Sequence, residues 1–296
     1  MIKEAMILSY DDPEGLRQVI GKVLSAPFDR IAVAYGSSGD WDYSFLEQID
    51  DPRLIKIRER KRLGKVAAIN SCLDLMHGDL LYLMSSDIVL DPSAILKIED
   101  YFINDVAVVF PNVEPAERSG IVTKVGILLW QIRSAFLQQI VQRGEVPHGG
   151  EMIVFRRDLL SRIPDVVNDE EYICMSAAAE GKKVVYANDV RIGNIAPGDA
   201  RDYITQRSRI IYGHRQVWSL GFRPQVMDFL LLSNPLLFIR TIFSAMRKRK
   251  DLAMYLIPLM ILETISLLSS KKYPRRENVL IWDLAASTKL AGNGKK

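Results

Sequence analysis

Through its first half the chain repeats one pattern: a short, nearly all-apolar run, an amphipathic stretch, then another apolar run. The clearest run is Leu80-Leu81-Tyr82-Leu83-Met84. It has no polar face to turn toward water, which suits a parallel strand covered on both sides. Ala5 to Ser9, Ile31 to Tyr35 and Leu54 to Ile57 read as earlier strands. Between them Glu14 to Leu24 places Leu16, Val19, Ile20 and Val23 on one helical face. Val66 to Met76 reads as a second helix, with Gly78 as its ending residue. Asp91-Pro92 has the form of an N-cap followed by proline at the first helical position. Ile121 to Arg143 and Asp169 to Glu180 read as helices, the latter stopped by Gly181, and Lys183 to Tyr186 returns as a strand. Repeated β-α-β order predicts an α/β fold, with a mostly parallel central sheet and helices on both faces. Ligands of such sheets sit beyond the carboxyl ends of the strands. That directs attention to Tyr10-Asp11-Asp12, to Gly36-Ser37-Ser38-Gly39-Asp40 and to Ser85-Ser86-Asp87.

The 296 residues suffice for one large α/β domain with a tail, or for two small domains. Lys and Arg number 39 against 36 Asp and Glu, a net charge of only +3. A nucleic-acid binder carries a stronger clustered excess, so no nucleic-acid partner is expected. The basic clusters here are late, at Arg247 to Lys250, Lys271-Lys272 and Arg275-Arg276, and they flank apolar segments. Val226 to Met246 and Leu252 to Leu268 approach the length of a bilayer span, but Pro235 and Pro258 lie within them. A spanning hairpin would put Arg247 to Lys250 on the far side, against the positive-inside preference. Two helices lying in the membrane interface keep all the basic clusters on one side, and that arrangement is favoured over a span. A buried helical subdomain is the remaining alternative. Cys72 and Cys174 fall in helical stretches with no CxxC and no nearby His, which argues against zinc and for a reduced, cytosol-facing protein. The start, Met1 to Met6, is too short and charged for a signal peptide. Residues 291–296 read as a disordered tail.

Asp87, at the tip of a strand, can hold Mg2+ or Mn2+ against a diphosphate, since such ions need only one or two protein carboxylates. Asp169-Glu170-Glu171 opens a helix, where carboxylates are favoured electrostatically and where one of them can serve as a base. Gln206 and Arg209 are three apart and share a helical face; Arg209 can neutralise a departing diphosphate, and Gln206 can bond a sugar or acceptor. Lys65 can bind phosphate as a point charge. Each of these taken alone is equally an ordinary cap or surface residue. No GxxxxGK[ST], G-x-G-x-x-G or G-x-S-x-G pattern is present, and His77, His148 and His214 form no pair at metal-ligand spacing.

The order of these pieces resembles the family-2 glycosyltransferases of the GT-A fold. Ser9-Tyr10-Asp11-Asp12 is similar to that family's opening motif, and Gly36-Ser37-Ser38 to its Gly-Ser-Thr turn. Leu63 to Asn70 matches its Gly-Lys-x-x-Ala-Leu-Asn stretch. Ser85-Ser86-Asp87 stands at the DxD position, and Gly149 to Asp158 resembles the Gly-rich strand ending in Phe-Arg-Arg. Asn168 to Tyr172 occupies the position of the base, and Gln206 to Ile210 resembles the QxxRW motif of membrane-bound members. The resemblance covers about residues 5 to 216. It implies a nucleotide-sugar donor, a divalent ion on Asp87, and a nucleoside pocket lined by Tyr10 and Asp12. Ser86 joins the donor site, Lys65 and Arg209 balance phosphate charge, and Glu170 or Asp169 is the base. Where the family has a base-contacting Asp this chain has Ala34-Tyr35, so Tyr35 is expected to stack on the nucleobase, with Asp40 as a compensating acid. Ser85 replaces the first acid of DxD, and Ile210 the Trp of QxxRW. The resemblance thus implies an inverting transferase of residues 1–220, membrane-associating helices at 221–275 and a tail at 276–296. It would act at the cytoplasmic face of a membrane on a glycan or lipid-linked acceptor. The missing acids motivate an alternative: a catalytically degenerate scaffold or partner subunit at the membrane.

Overall fold

The computed structural model describes residues 1–273, 280–281 and 286–288. Most of the expected tail, including 291–296, lies outside the described residues.

Seven strands form one sheet in the order β3-β2-β1-β4-β6-β5-β7. They are β1 (Lys3–Tyr10), β2 (Arg30–Gly36), β3 (Leu54–Arg58), β4 (Leu80–Ser85), β5 (Val106–Pro115), β6 (Met152–Arg156) and β7 (Lys183–Asn194). The chain runs outward from β1 through β2 to β3, then returns to lay β4 on the other side of β1, all in parallel. This reversal of direction opens a crevice at the carboxyl ends of β1 and β4. β6 enters antiparallel between β4 and β5, while β5 and β7 pair in parallel. The all-apolar run of β4 is explained by its central place: Leu81 and Leu83 enter the core on one face, and Leu80, Tyr82 and Met84 the core on the other.

The helices α1 (Pro13–Leu24), α2 (Lys65–Leu73), α3 (Pro92–Glu99), α4 (Ile121–Gln142), α5 (Asp169–Ala179) and α6 (Ala200–Ser219) cover the sheet and its carboxyl edge. α3 begins at the expected Asp91-Pro92, with the Asp91 carboxylate accepting from Ser93 N. Gly78 does not end α2: the helix closes at Asp74, and Gly78 N instead donates to the buried Glu4 carboxylate at 2.8 Å. Gly181 does end α5, in the left-handed region at φ 72°. β7 extends well past Tyr186 because its second half pairs with the end of β5.

The late apolar region divides into α7 (Leu230–Ser233), α8 (Pro235–Lys248) and α9 (Leu256–Ser270). The segment 226–246 is broken at Asn234, whose side chain caps α8 ahead of Pro235. The 14-residue α8 is therefore about 21 Å long at ~1.5 Å per residue, short of a ~30 Å hydrocarbon core. Residues Lys250–Ser270 do meet the length and hydropathy expected of a span, and only 17% of the most apolar stretch is buried. One face of these helices packs on α4 and α6, through Ala245, Leu252 and Leu259 against Val125, Leu128 and Tyr203. The other face leaves Ile239, Phe243, Ile257 and Ile261 exposed.

Candidate active site

A cavity of about 310 Å3 lies at the carboxyl ends of the central strands. β1 delivers Tyr10 to it and the turn after β4 delivers Ser86 and Asp87. Gly64, with φ 99° that an L side chain adopts only at a cost, turns the chain into α2 and sets Lys65 on the first helical turn. Asp169 and Glu170 come from the first turn of α5, and Gln206 and Arg209 from one face of α6. α5 and α6 meet closely because position 213 is glycine: a Cβ there would stand 2.2 Å from Asn168 Oδ1. Sequence-distant acidic and basic groups therefore share one hollow.

Lys65 Nζ stands 3.0 Å from Asp169 Oδ2 and also bonds the Glu170 carboxylate. Asp169 is only 1% exposed, and neither of its carboxylate oxygens makes a well-directed hydrogen bond among the described residues. Burial first, then the charge of Glu170, pushes Asp169 up to about 7, against the pull of Lys65. Glu170 goes the other way: burial raises it, but its bond to Lys65 outweighs this and holds it below the ordinary carboxylate range. Lys65 is fixed in its charged form, since the two carboxylates overcome its desolvation. Burial lowers Arg209, with Tyr273, Glu170, Asp169 and Glu151 acting against that effect.

Glu171, the third acid of the run, belongs to a different cluster that forms the floor of the cavity. Its Oε2 lies 2.5 Å from His214 Nδ1 and accepts from Asn168 Nδ2 at 2.9 Å. His214 Nε2 lies 3.3 Å from Asp228 Oδ2. Arg207 bonds Asp228 and, at 2.8 Å, Glu263 of α9. Burial would neutralise His214, yet Glu171 and Asp228 raise it to about 9. Burial likewise opposes ionisation of Glu171, but His214 and His148 hold it at about 2. Two of the three histidines scattered in sequence thus meet in space, with the rings of His148 and His214 5.8 Å apart. They do not form a metal site: both His214 nitrogens face carboxylates and His148 Nε2 faces Gln225 O at 3.0 Å. Among the described residues no group of three or more ligating side chains is placed to hold a metal.

Three residues expected at the site do not line the cavity. Tyr35 follows Ala34 on β2, and strand alternation sends its ring to the opposite face. There it packs 5.2 Å from Tyr43, with its hydroxyl toward Glu47, so it is not a nucleobase platform. Asp12 is 2% exposed; it caps α1 through Gly15 N at 3.2 Å and accepts from Ser86 Oγ at 2.8 Å. It ties the start of α1 to the turn after β4 rather than lining the cavity, and the Ser86 hydroxyl is engaged in the same bond. Asp40 is exposed and also outside the lining, so it does not compensate for Ala34. Tyr10 keeps its expected place, with the Arg62 guanidinium over its ring at 4.5 Å.

Three lining residues had no signal strong enough to single them out. Arg133 lies 4.9 Å over the Trp130 ring, both on α4, and its partner is the His148 carbonyl at 3.4 Å. Their spacing of three on a helix was visible, but which face met the site was not. Glu151 follows Gly149-Gly150, adopts φ 75°, and accepts from Asn194 Nδ2 at 3.1 Å. Burial, then the charge of Asp87, pushes it up to about 7.

A family model described as glycosyltransferase like family 2 matches residues 4–213. No curated protein matches the chain. Among solved structures, the mannosyltransferase PcManGT from Pyrobaculum calidifontis, in complex with GDP-Man and Mn2+, is similar at 17% identity and TM-score 0.61, covering 91% of this chain and 86% of that one. Glucosyl-3-phosphoglycerate synthase from Mycobacterium tuberculosis, with Mn2+, UDP and phosphoglyceric acid, is similar at 13% identity and TM-score 0.52, covering 73% and 78%. Mannosyl-3-phosphoglycerate synthase from Rubrobacter xylanophilus is similar at 17% identity and TM-score 0.53, covering 76% and 77%. At these identities the likeness is one of fold, and it is the GT-A fold that the motif order implied. With the family model spanning the sheet, the crevice and most of α6, the chain belongs to the family-2 glycosyltransferases and is an enzyme of glycosyl transfer.

Proposed function

We propose that the chain is an inverting glycosyltransferase that moves a sugar from a nucleoside-diphosphate sugar to a hydroxyl of a membrane- or lipid-linked glycan. The observation that carries this reading is the convergence of Asp87, the Lys65-Asp169-Glu170 cluster, Gln206 and Arg209 on one cavity. Similar structures hold Mn2+ with a nucleotide or nucleotide sugar. The donor set here fits a hard divalent ion, Mg2+ or Mn2+, with Asp87 as its protein carboxylate and phosphate oxygens and water as the rest. Such an ion, when bound, neutralises charge developing on the diphosphate.

The protein groups divide the remaining work. Asp169, raised to about 7, is the better-matched base, because an effective base titrates near the working pH. It takes the proton of the acceptor hydroxyl while that oxygen attacks the anomeric carbon from the side opposite the diphosphate. The bond from carbon to phosphate oxygen breaks, its electron pair leaves with the diphosphate, and the sugar inverts. Glu170 holds Lys65 in place, and Arg209 faces the departing charge. Tyr10 lines the nucleoside side, and Gln206 bonds sugar or acceptor.

Residues 1–220 form the transferase domain on this reading, 221–275 the membrane-associating helices and 276–296 the tail. The exposed apolar face of α8 and α9 is flanked by exposed Arg240, Arg247, Lys248, Lys250, Lys271 and Lys272. That combination suits the interface of an anionic bilayer on the cytoplasmic side. α9 is held to the domain by the ion pair of Glu263 with Arg207, which favours lying on the surface over crossing it. Replacing Ile257 and Ile261 by Ser is expected to reduce co-sedimentation with anionic vesicles; unchanged sedimentation would remove the membrane role.

The deciding experiment is a screen of UDP- and GDP-sugars with Mn2+, reading nucleotide binding and donor hydrolysis, followed by NMR of the product's anomeric configuration. Binding with turnover and inversion supports the proposal. Retention of configuration overturns the direct displacement, and absence of both binding and hydrolysis supports the degenerate scaffold instead.

A further inference from the structure

We infer that Glu151 supplies a second protein carboxylate for the divalent cation at Asp87, replacing from β6 the acid that Ser85 does not provide on β4. The inference rests on the proposed donor site and adds a ligand to it. β4 and β6 pair antiparallel with Met84 opposite Met152. The ladder ends at that pair, so Ser85 and Glu151 are the next residues along the two strands beyond it. The serine that stands in place of an acid and the glutamate therefore leave neighbouring strands at the same end of the ladder.

Other observations agree with this role. Asp87 and Glu151 line the same cavity. Asn194 at the end of β7 donates to Glu151 Oε1 and orients the carboxylate, while Oε2 has no hydrogen-bond partner among the described residues. Glu151 makes no direct ion pair among the described residues, although its charge supports the buried Arg133 and Lys65 eases its own burial. Its backbone lies at φ 75°, a region that glycine enters freely and glutamate does not, directly after two glycines. A carboxylate held in strained backbone, enclosed and close to another acid, is unfavourable until a cation joins it. Manganese or magnesium accepts two carboxylates and completes its shell with diphosphate oxygens and water.

The test is Mn2+ titration of the full chain by EPR, with GDP or UDP present, comparing wild type with Glu151→Gln, Asp87→Asn and the double variant Ser85→Asp/Glu151→Gln. Glutamine keeps the size and the Asn194 bond while removing the charge. Glu151→Gln is expected to weaken Mn2+ binding about tenfold or more, with metal-free nucleotide binding unchanged. The double variant is expected to recover much of the loss, because the acid returns from the opposite strand. If Glu151→Gln binds Mn2+ as wild type does while Asp87→Asn does not, Glu151 is no ligand and the Asp87 site stands. If Asp87→Asn also binds as wild type, or wild type binds no Mn2+, the cation site itself is wrong and this inference falls with it. Should Glu151→Gln fold poorly, Glu151→Gly relieves the backbone and gives the same readout.

Discussion

Glu170 and Glu171 are neighbours on the first turn of α5, and Arg207 and Arg209 are two apart on α6, yet the four belong to two unlike charge clusters. In the cluster around Lys65 two carboxylates crowd one ammonium, neither Asp169 oxygen makes a well-directed hydrogen bond among the described residues, and burial with the charge of Glu170 pushes Asp169 up to about 7. The floor cluster sets two cations, Arg207 and His214, among three carboxylates, Glu171, Asp228 and Glu263, and most of its members make more than one bond. There Glu171 is held at about 2 and His214 at about 9. A buried acid with poorly directed bonds stores reactivity, whereas a multiply bonded network fixes geometry. Here the floor cluster also ties α5 and α6 to α9, so Asp169 and Glu170 are carried on a framework that includes the apolar helices.

The sharpest way to break this contrast is to remove a charge from each cluster. Asp169→Asn is expected to lower the turnover number by roughly 10²–10⁴-fold while the melting temperature holds or rises, because a repelling charge is gone. Full activity in this variant would move the base to Glu170, whose Gln variant is the companion measurement. Arg207→Met leaves Glu263 without its cation and Asp228 with His214 alone, and is expected to cost about 3–5 kcal/mol. At ~2–4 °C per kcal/mol for a chain of this size, the melting temperature falls by roughly 10 °C. A fall of only a degree or two would mean the floor cluster does not hold the structure together.

pH separates the clusters next. Activity is expected to rise through about pH 7 as Asp169 loses its proton, and this limb should vanish or shift in Asp169→Asn. Stability carries opposite signs in the two places. Glu171 falls from 4.5 to about 2 on folding, so its contribution is complete above 4.5 and is lost as pH drops toward 2. His214 rises from 6.5 to about 9, so its contribution is complete below 6.5 and disappears as pH climbs through 9. Asp169 is raised from 3.8 to about 7, so the folded state keeps a proton that the unfolded chain has released, and stability declines between those values. Thermal melts from pH 3 to 10 on wild type and Asp169→Asn measure this; an identical pH dependence in both would contradict it.

The smallest effect tests how redundant the closed cluster is. Tyr203 Oη donates to Glu263 Oε1 at 2.6 Å, but Arg207 already serves that carboxylate. Tyr203→Phe is therefore expected to cost only ~1–2 kcal/mol by chemical denaturation. A loss as large as that of Arg207→Met would mean that the tyrosine, not the arginine, is the main link to α9.

The order of strands and helices was readable because it depends on local periodicity: β4 announces itself as a strand covered on both faces, and α1 by its apolar stripe. The motif order also singled out Asp87, Lys65, Asp169 and Glu170 at a strand end and at helix starts, which this architecture brings to one edge, and Gln206 and Arg209 on one face of α6; all six line one cavity. Tyr35 was misplaced because side chains alternate along a strand, and a one-residue difference decides which face they reach. Asp12 was read as a donor contact although its local job, capping α1, already used its carboxylate.

Only the tertiary structure decided which partner each charge met. The choice between Glu170 facing Lys65 and Glu171 facing His214 was set by the rotation of α5 against α6, pressed together where position 213 lacks a side chain. The presence of Glu151 in the same cavity as Ser85 and Asp87 was set by the antiparallel pairing of β6 with β4, across some sixty intervening residues. Periodicity is written in neighbouring residues, whereas electrostatic partners depend on register and packing between segments far apart in the chain. The sequence therefore determined the frame and the edge where the chemistry lies, and long-range packing determined how its charges are paired.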